Sequence, residues 1–223
     1  MYGNHFYNET TRRYVAVFGT MFNDIEISRK TGNTVTQTMK VPINYAPMQK
    51  ILARIDQNLQ NNAPAITLPR MSFEFTGLTY DASRKSTTTQ YFTSKSVADG
   101  KEIKKAYLPV PYNMQFELSI MSKLNDDALQ IVEQILPYFQ PAYTLSVDLI
   151  ETINEKRDIP VVLENITMQD DYEGDLTTRR VLIYTLRFTA KTYLFGPVSS
   201  ATKDIIKKAS IGYIAGDTTT SPT

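Results

Sequence analysis

The sequence predicts an α+β fold: a mixed, mainly antiparallel sheet flanked by helices that gather on one face, with a projecting hairpin and an extended C-terminal arm. Two observations carry this. Three segments show apolar residues at helical spacing, and most of the remaining chain alternates apolar with polar residues, as half-buried strands do. The strands are too many and too closely spaced for a helical bundle, and no internal repeat points to a solenoid.

Helical spacing appears first from Glu9 to Met21, where Tyr14, Val17, Phe18 and Met21 fall on one face. Asn8 is the expected N-cap, since its side chain can accept a bond from an orphan amide of the first turn. A second helix is predicted from Pro47 to about Gln60, with Met48, Ile51, Leu52, Ile55 and Leu59 facing inward and Lys50, Arg54 and Gln57 opposite. Pro47 suits the first helical position. The third runs from about Asp126 to Leu136, capped by Asn125, with Asp126 and Asp127 at the positive end of its dipole. Ala128, Ile131, Val132 and Ile135 form its core stripe, and Pro137 is expected to stop it by disfavouring helical geometry at Leu136.

Strand alternation fills the intervals. Ile25 and Ile27 begin one run, and Val35 to Tyr45 is expected to return beside it across Thr31-Gly32-Asn33. Met71, Phe73 and Phe75 make a second, and Met114, Phe116, Leu118 and Ile120 a longer third. Tyr143, Leu145, Val147 and Leu149 follow Pro141, and the run IPVVLENITM follows Asp158. In the last strong strand, Val181 to Leu194, Leu182, Tyr184, Leu186 and Phe188 share one face. These elements place a single domain over 1–197. Within it, 81–106 is polar, rich in Lys, Ser and Thr, and carries the hairpin-turn signal Asp99-Gly100, so it reads as a projecting hairpin or mobile loop. Residues 198–223 read as an arm, Ile205, Ile206, Ile211 and Tyr213 among them, followed by a polar tail.

Composition narrows the function. The 223 residues carry 24 Lys and Arg against 23 Asp and Glu, a net charge of +1, which is no footprint for bulk nucleic-acid binding. With no cysteine and a single histidine, thiol catalysis and Cys-ligated zinc are excluded, and any imidazole triad would run through His5 alone. His5, beside Phe6 and Tyr7, reads as a surface or interface residue. No phosphate-binding glycine loop, nucleophile elbow or HExxH motif occurs, and no apolar run reaches secretory or membrane-spanning length, so the protein is expected in the cytosol when made.

Three groups of residues stand out beyond the core. The carboxylates Asp170, Asp171, Glu173 and Asp175 around Gly174 invite a cation, yet lack EF-hand spacing and read as a solvated hairpin loop. The basic doublets Arg12-Arg13 and Arg179-Arg180 suit carboxylates or phosphates of a partner, or solvent. Tyr2, Phe6 and Tyr7 lie outside any core pattern, as a docking contact does, unless they pack back on their own helix. No cofactor or metal is called for.

Phe116-Glu-Leu-Ser-Ile, then Asp126-Asp127, then Gln130-Ile-Val-Glu-Gln-Ile-Leu-Pro-Tyr-Phe-Gln-Pro141 closely resemble the tail terminator, or proximal tail sheath stabiliser, of large contractile-tailed bacteriophages. Shorter pieces fall in the same order: Phe6-Tyr7-Asn8 with Arg12-Arg13-Tyr14, Val41-Pro42-Ile43 with Tyr45-Ala46, Leu68-Pro69-Arg70, Lys156-Arg157-Asp158-Ile159, and Arg179-Arg180. The resemblance spans most of residues 1–195. It implies a virion protein without catalysis, assembled in the host cytoplasm. As a homo-hexameric ring it would cap the head-proximal end of the tail tube, hold the last sheath ring and meet the neck. Its partners would be the tube, sheath and neck proteins, with DNA passing unread through the channel and no membrane contact. Some members carry a long acidic, proline-rich C-terminal extension; this sequence ends at Thr223, so no neck contact is expected from such an extension. Two other readings stand beside it: a neck or head-completion connector, and, remotely, a hydrolase using the 170–175 carboxylates.

Overall fold

A computed structural model describes residues 5–31, 34–60, 67–95, 103–150, 155–171 and 181–201. The chain opens with α1 (Thr10–Met21), then the antiparallel pair β1 (Glu26–Thr31) and β2 (Thr34–Lys40), the short β3 (Ile43–Tyr45) and α2 (Met48–Gln60). The long β4 (Arg70–Tyr80) precedes β5 (Tyr91–Lys95) and β6 (Ile103–Tyr107), and β7 (Val110–Ser122) leads into α3 (Asn125–Ile135). The strands β8 (Ala142–Ile150), β9 (Glu155–Asp171), β10 (Val181–Leu194) and β11 (Ser199–Ala201) complete the described chain. Six strands form the main sheet in the order β3-β4-β7-β10-β9-β8, all antiparallel except β3 beside β4. A second sheet runs β11-β6-β5.

Alternation fixes the core, because successive strand side chains point to opposite faces. Met114, Phe116, Leu118 and Ile120 of β7 and Leu186 and Phe188 of β10 are at most 1% exposed and share one cluster with Met71 and Phe73 of β4. The helix α1 lays Phe18 into this face: its ring stacks on Phe116 at 4.3 Å with 8° between planes and meets Phe188 edge-on at 5.5 Å. Each such side chain contributes about 1.5–3 kcal/mol by leaving water. The predicted α3 stripe of Ala128, Ile131, Val132 and Ile135 is buried in the same cluster, together with Ile25 just before β1 and Ile27 within it. At Gly19 the α1 backbone comes so near the sheet that an added Cβ would lie 2.6 Å from the Phe73 ring.

Several details depart from the sequence reading. The helices do not share one face. Ile51 of α2 packs on Met121 and Ile183, which alternate with Ile120 and Tyr184 and therefore lie on the opposite side of the sheet. Asn8 does not cap α1; its amide donates to the carbonyls of Phe195 and Gly196 at 3.3 and 3.1 Å, and Glu9, at φ 54°, turns the chain into the helix. Asn125 is likewise no cap: it is already helical, and its side-chain oxygen accepts from the Tyr184 hydroxyl at 3.1 Å. Leu136 keeps right-handed helical geometry despite Pro137, and Leu136–Tyr138 tighten into a 3₁₀ turn. The run from Val35 to Tyr45 breaks at Val41-Pro42. Pro42 has no amide for the ladder, its carbonyl accepts from the Met71 amide at 2.9 Å, and Ile43–Tyr45 switches to the main sheet.

Candidate assembly surfaces

The basic doublet at the start of α1 is split by the helical step of about 100° per residue. Arg12 points outward with its side chain 74% exposed and only a 4.0 Å approach to Glu9. Arg13 reaches β8, where its guanidinium donates to the Asp148 carbonyl at 2.9 Å. At the next residue, the buried Tyr14 hydroxyl donates to the Tyr193 carbonyl at 2.8 Å and accepts from the Tyr193 amide at 3.3 Å. Burial pushes that phenol up to about 12. Phe6 and Tyr7 are 47% and 65% exposed, so neither packs back as a core residue would.

Around Tyr193 the cations are already satisfied. Arg84 and Arg157 each sit 5.0 Å from its ring centroid. Arg84 pairs with Asp81 at 2.7 Å and donates to the Asn113 side chain at 2.8 Å, and Arg157 pairs with Glu155 at 2.8 Å. Bonds from Ser83 and Arg84 hold the Asp81 carboxyl well below the usual carboxylate range. This knot fastens the start of the 81–106 segment to β10. Further along it, β5 and β6 pair as the predicted hairpin, whose base is not free of the domain: Ala106 is buried and Phe92 packs edge-on against Phe195 at 6.4 Å. The arm's first residues, Ser199–Ala201, add to β6 as a third strand.

The side of the main sheet facing away from Phe18 is polar across its centre. Register places Glu74, Glu117, Arg187 and Asn165 in one row across β4, β7, β10 and β9. Arg187 meets Glu117 at 3.3 Å, whereas Glu74 has no hydrogen bond or ion pair among the described residues. Its carboxyl is pushed up, first by burial and then by the charge of Glu117. Ser72 and Thr189, two residues before Glu74 and two after Arg187 on the same face, hold buried hydroxyls with no hydrogen-bond partner among the described residues.

Sequence reasoning missed this row, since neither glutamate stands out until register sets them side by side. It also took Asp127 for dipole charge alone. Asp127 is 1% exposed and grips Arg29 of β1 with both carboxylate oxygens, at 2.5 and 3.3 Å. A third feature is an open groove of about 490 Å³ between the ends of α1 and α3, walled by Met21, Phe22, Ile135, Tyr138 and Phe139. Tyr138 stands 67% exposed at its edge.

Tyr2, Arg179, Arg180, Ile205, Ile206, Ile211 and Tyr213 lie outside the described residues, as do Asp99-Gly100, Glu173, Gly174 and Asp175. No three His, Asp or Glu side chains gather as a cation site among the described residues. No described helix is long and apolar enough to cross a membrane.

Comparison with known proteins supplies what geometry does not. The family described as T4-like virus Myoviridae tail sheath stabiliser matches residues 5–223. Tail completion protein gp15 of Enterobacteria phage T4 is 32% identical over 210 residues, covering 90% of this chain and 75% of that protein.

Proposed function

This chain belongs to the T4-like tail sheath stabiliser family, and from that premise we propose that it closes into a hexameric ring at the head-proximal end of the contractile tail. There the ring ends tube growth, holds the last sheath ring and faces the neck, with DNA passing through unread. The observation that carries this is the family match across the whole described fold, from the residues before α1 through β11. The role needs no catalysis.

The physics of ring closure agrees with the surfaces. A closed ring of identical subunits uses two different patches per copy, joined head to tail, whose rotation admits no further subunit. This domain offers such different patches on opposite sides of its sheet: the outward side of α1 with Arg12, and the polar row at Glu74. β8, a nine-residue strand at the edge of the main sheet, has no strand beyond it among the described residues and could take an extended segment of the sheath by strand addition. Ile205, Ile206, Ile211 and Tyr213, beyond the described residues, are the candidates in the sequence for such contacts.

Light scattering on the purified protein, alone and with tail tubes, tests the ring. A mass of about 152 kDa, six copies of the 25.3 kDa chain, is expected on tubes if not already in solution. A monomer that ignores tubes overturns the reading and favours the neck connector.

A further inference from the structure

Among the described residues Glu74 has no ion pair, and its position in the sheet makes that informative. Glu74 stands directly opposite Glu117 across antiparallel strands, an arrangement that destabilises an isolated sheet. Arg187, the cation beside them in register, is taken by Glu117. Buried hydroxyls without partners, Ser72 and Thr189, flank the pair on the same face, although buried polar atoms are as a rule hydrogen-bonded. The surplus carboxylate leaves this face incomplete in the lone chain. What would complete it is a basic surface.

The chain carries such a surface on the far side of the same sheet. Arg12 projects from α1 with its side chain 74% exposed, held only by a 4.0 Å approach to Glu9. Arginine suits the task, because its planar fork can bridge two carboxylates or grip one with both arms. One patch lies on each side of the sheet, which is the arrangement a head-to-tail ring requires.

We propose that the outer face of β4, β7 and β10 around Glu74 seats a neighbouring copy of this chain, whose Arg12 supplies the missing cation. This rests on the ring reading above and deepens it by naming the surface through which copies join. The contact also sets direction: acidic face to basic helix permits one head-to-tail sense, and like meets like in the other.

A charge swap in the full-length protein tests it. Arg12→Glu, Glu74→Arg and the double variant are compared with the parent by mass photometry, alone and on tail tubes, with folding followed by circular dichroism. Each single variant is expected to stay folded and to weaken ring formation roughly tenfold or more, and the double variant to recover most of the loss. Glu74→Gln keeps the shape if the arginine misfolds, and is expected to weaken rings while leaving the monomer at least as stable. Rings of parental stability in both Glu74 variants, or no recovery in a folded double variant, overturn the assignment while leaving the ring itself standing. Absence of rings from the parent on tubes overturns both.

Discussion

The two faces of the central sheet are built from the same strands and obey opposite rules. Toward α1, Phe116, Leu118, Leu186 and Phe188 interlock with Phe18 and leave no group exposed beyond 1%. One residue further along each strand, the other face sets Glu74 against Glu117 and buries hydroxyls without partners. The first face is finished within the chain, and its energy goes into folding. The second is unfinished, and the cost of about 0.2–1 kcal/mol for facing like charges falls on the lone subunit. A strand such as β7 can thus serve folding with its even-numbered residues and, in the ring proposed above, association with its odd ones.

Substitutions can break or sharpen that contrast. Phe116→Ala removes the ring stacked under Phe18 and is expected to cost about 3–5 kcal/mol in urea denaturation; a loss below 1 kcal/mol would mean the aromatic face does not set the stability. Asp127→Ala ends the grip on Arg29 and should cost about 1–3 kcal/mol, kept below a fully buried pair because the arginine is 37% exposed and can rehydrate. Tyr14→Phe loses one hydroxyl and should cost about 1 kcal/mol. In the parent, absorbance titration should show one phenol ionising late, near 12, and that late step should vanish with Tyr14→Phe.

Across on the polar face the sign reverses. Glu74→Gln is expected to stabilise the isolated chain by about 0.2–1 kcal/mol at neutral pH. The Glu74 carboxyl holds its proton more tightly folded than unfolded, so just above the ordinary carboxylate range the folded chain binds more protons. Stability should therefore fall as pH rises through that window, and Glu74→Gln should flatten this contribution in thermal melts. Arg12→Ala is the smallest case, within about 0.5 kcal/mol for the monomer, because the side chain is mostly in water. A large monomer effect from Arg12 would erase the distinction drawn between the faces.

Much of the first face was legible in the sequence. Alternation found β4, β7, β8 and β10, and helical spacing found α1, α2 and α3, because burial of one face imposes a period that needs no knowledge of partners. What failed was local chemistry overruled by distant contacts. Asn8 and Asn125 have the chemistry of caps, yet each is claimed by a group far along the chain, the Phe195 carbonyl and the Tyr184 hydroxyl. The side chosen by α2 was illegible for a related reason, since Met121 and Ile183 look like interruptions in an alternating run until the helix that covers them is in place. The polar face was least readable. Glutamates 74 and 117 are 43 positions apart in the sequence, and only strand register makes them neighbours. The doublet at Arg12-Arg13 was legible as charge but not as two separate roles.

The order of strands bears on how the protein is made. In the main sheet, β10 is a central strand, hydrogen-bonded along both sides to β7 and β9, and it also receives Tyr14 and Asn8 from the beginning of the chain. It is among the last described elements to leave the ribosome. Until then β7 and β9 have no strand between them, and Phe116 lacks the Phe188 wall of its pocket. Such long-range closure delays folding until synthesis is nearly finished. A chain interrupted before β10 therefore completes neither face, and such an open form is the one that proteases cut.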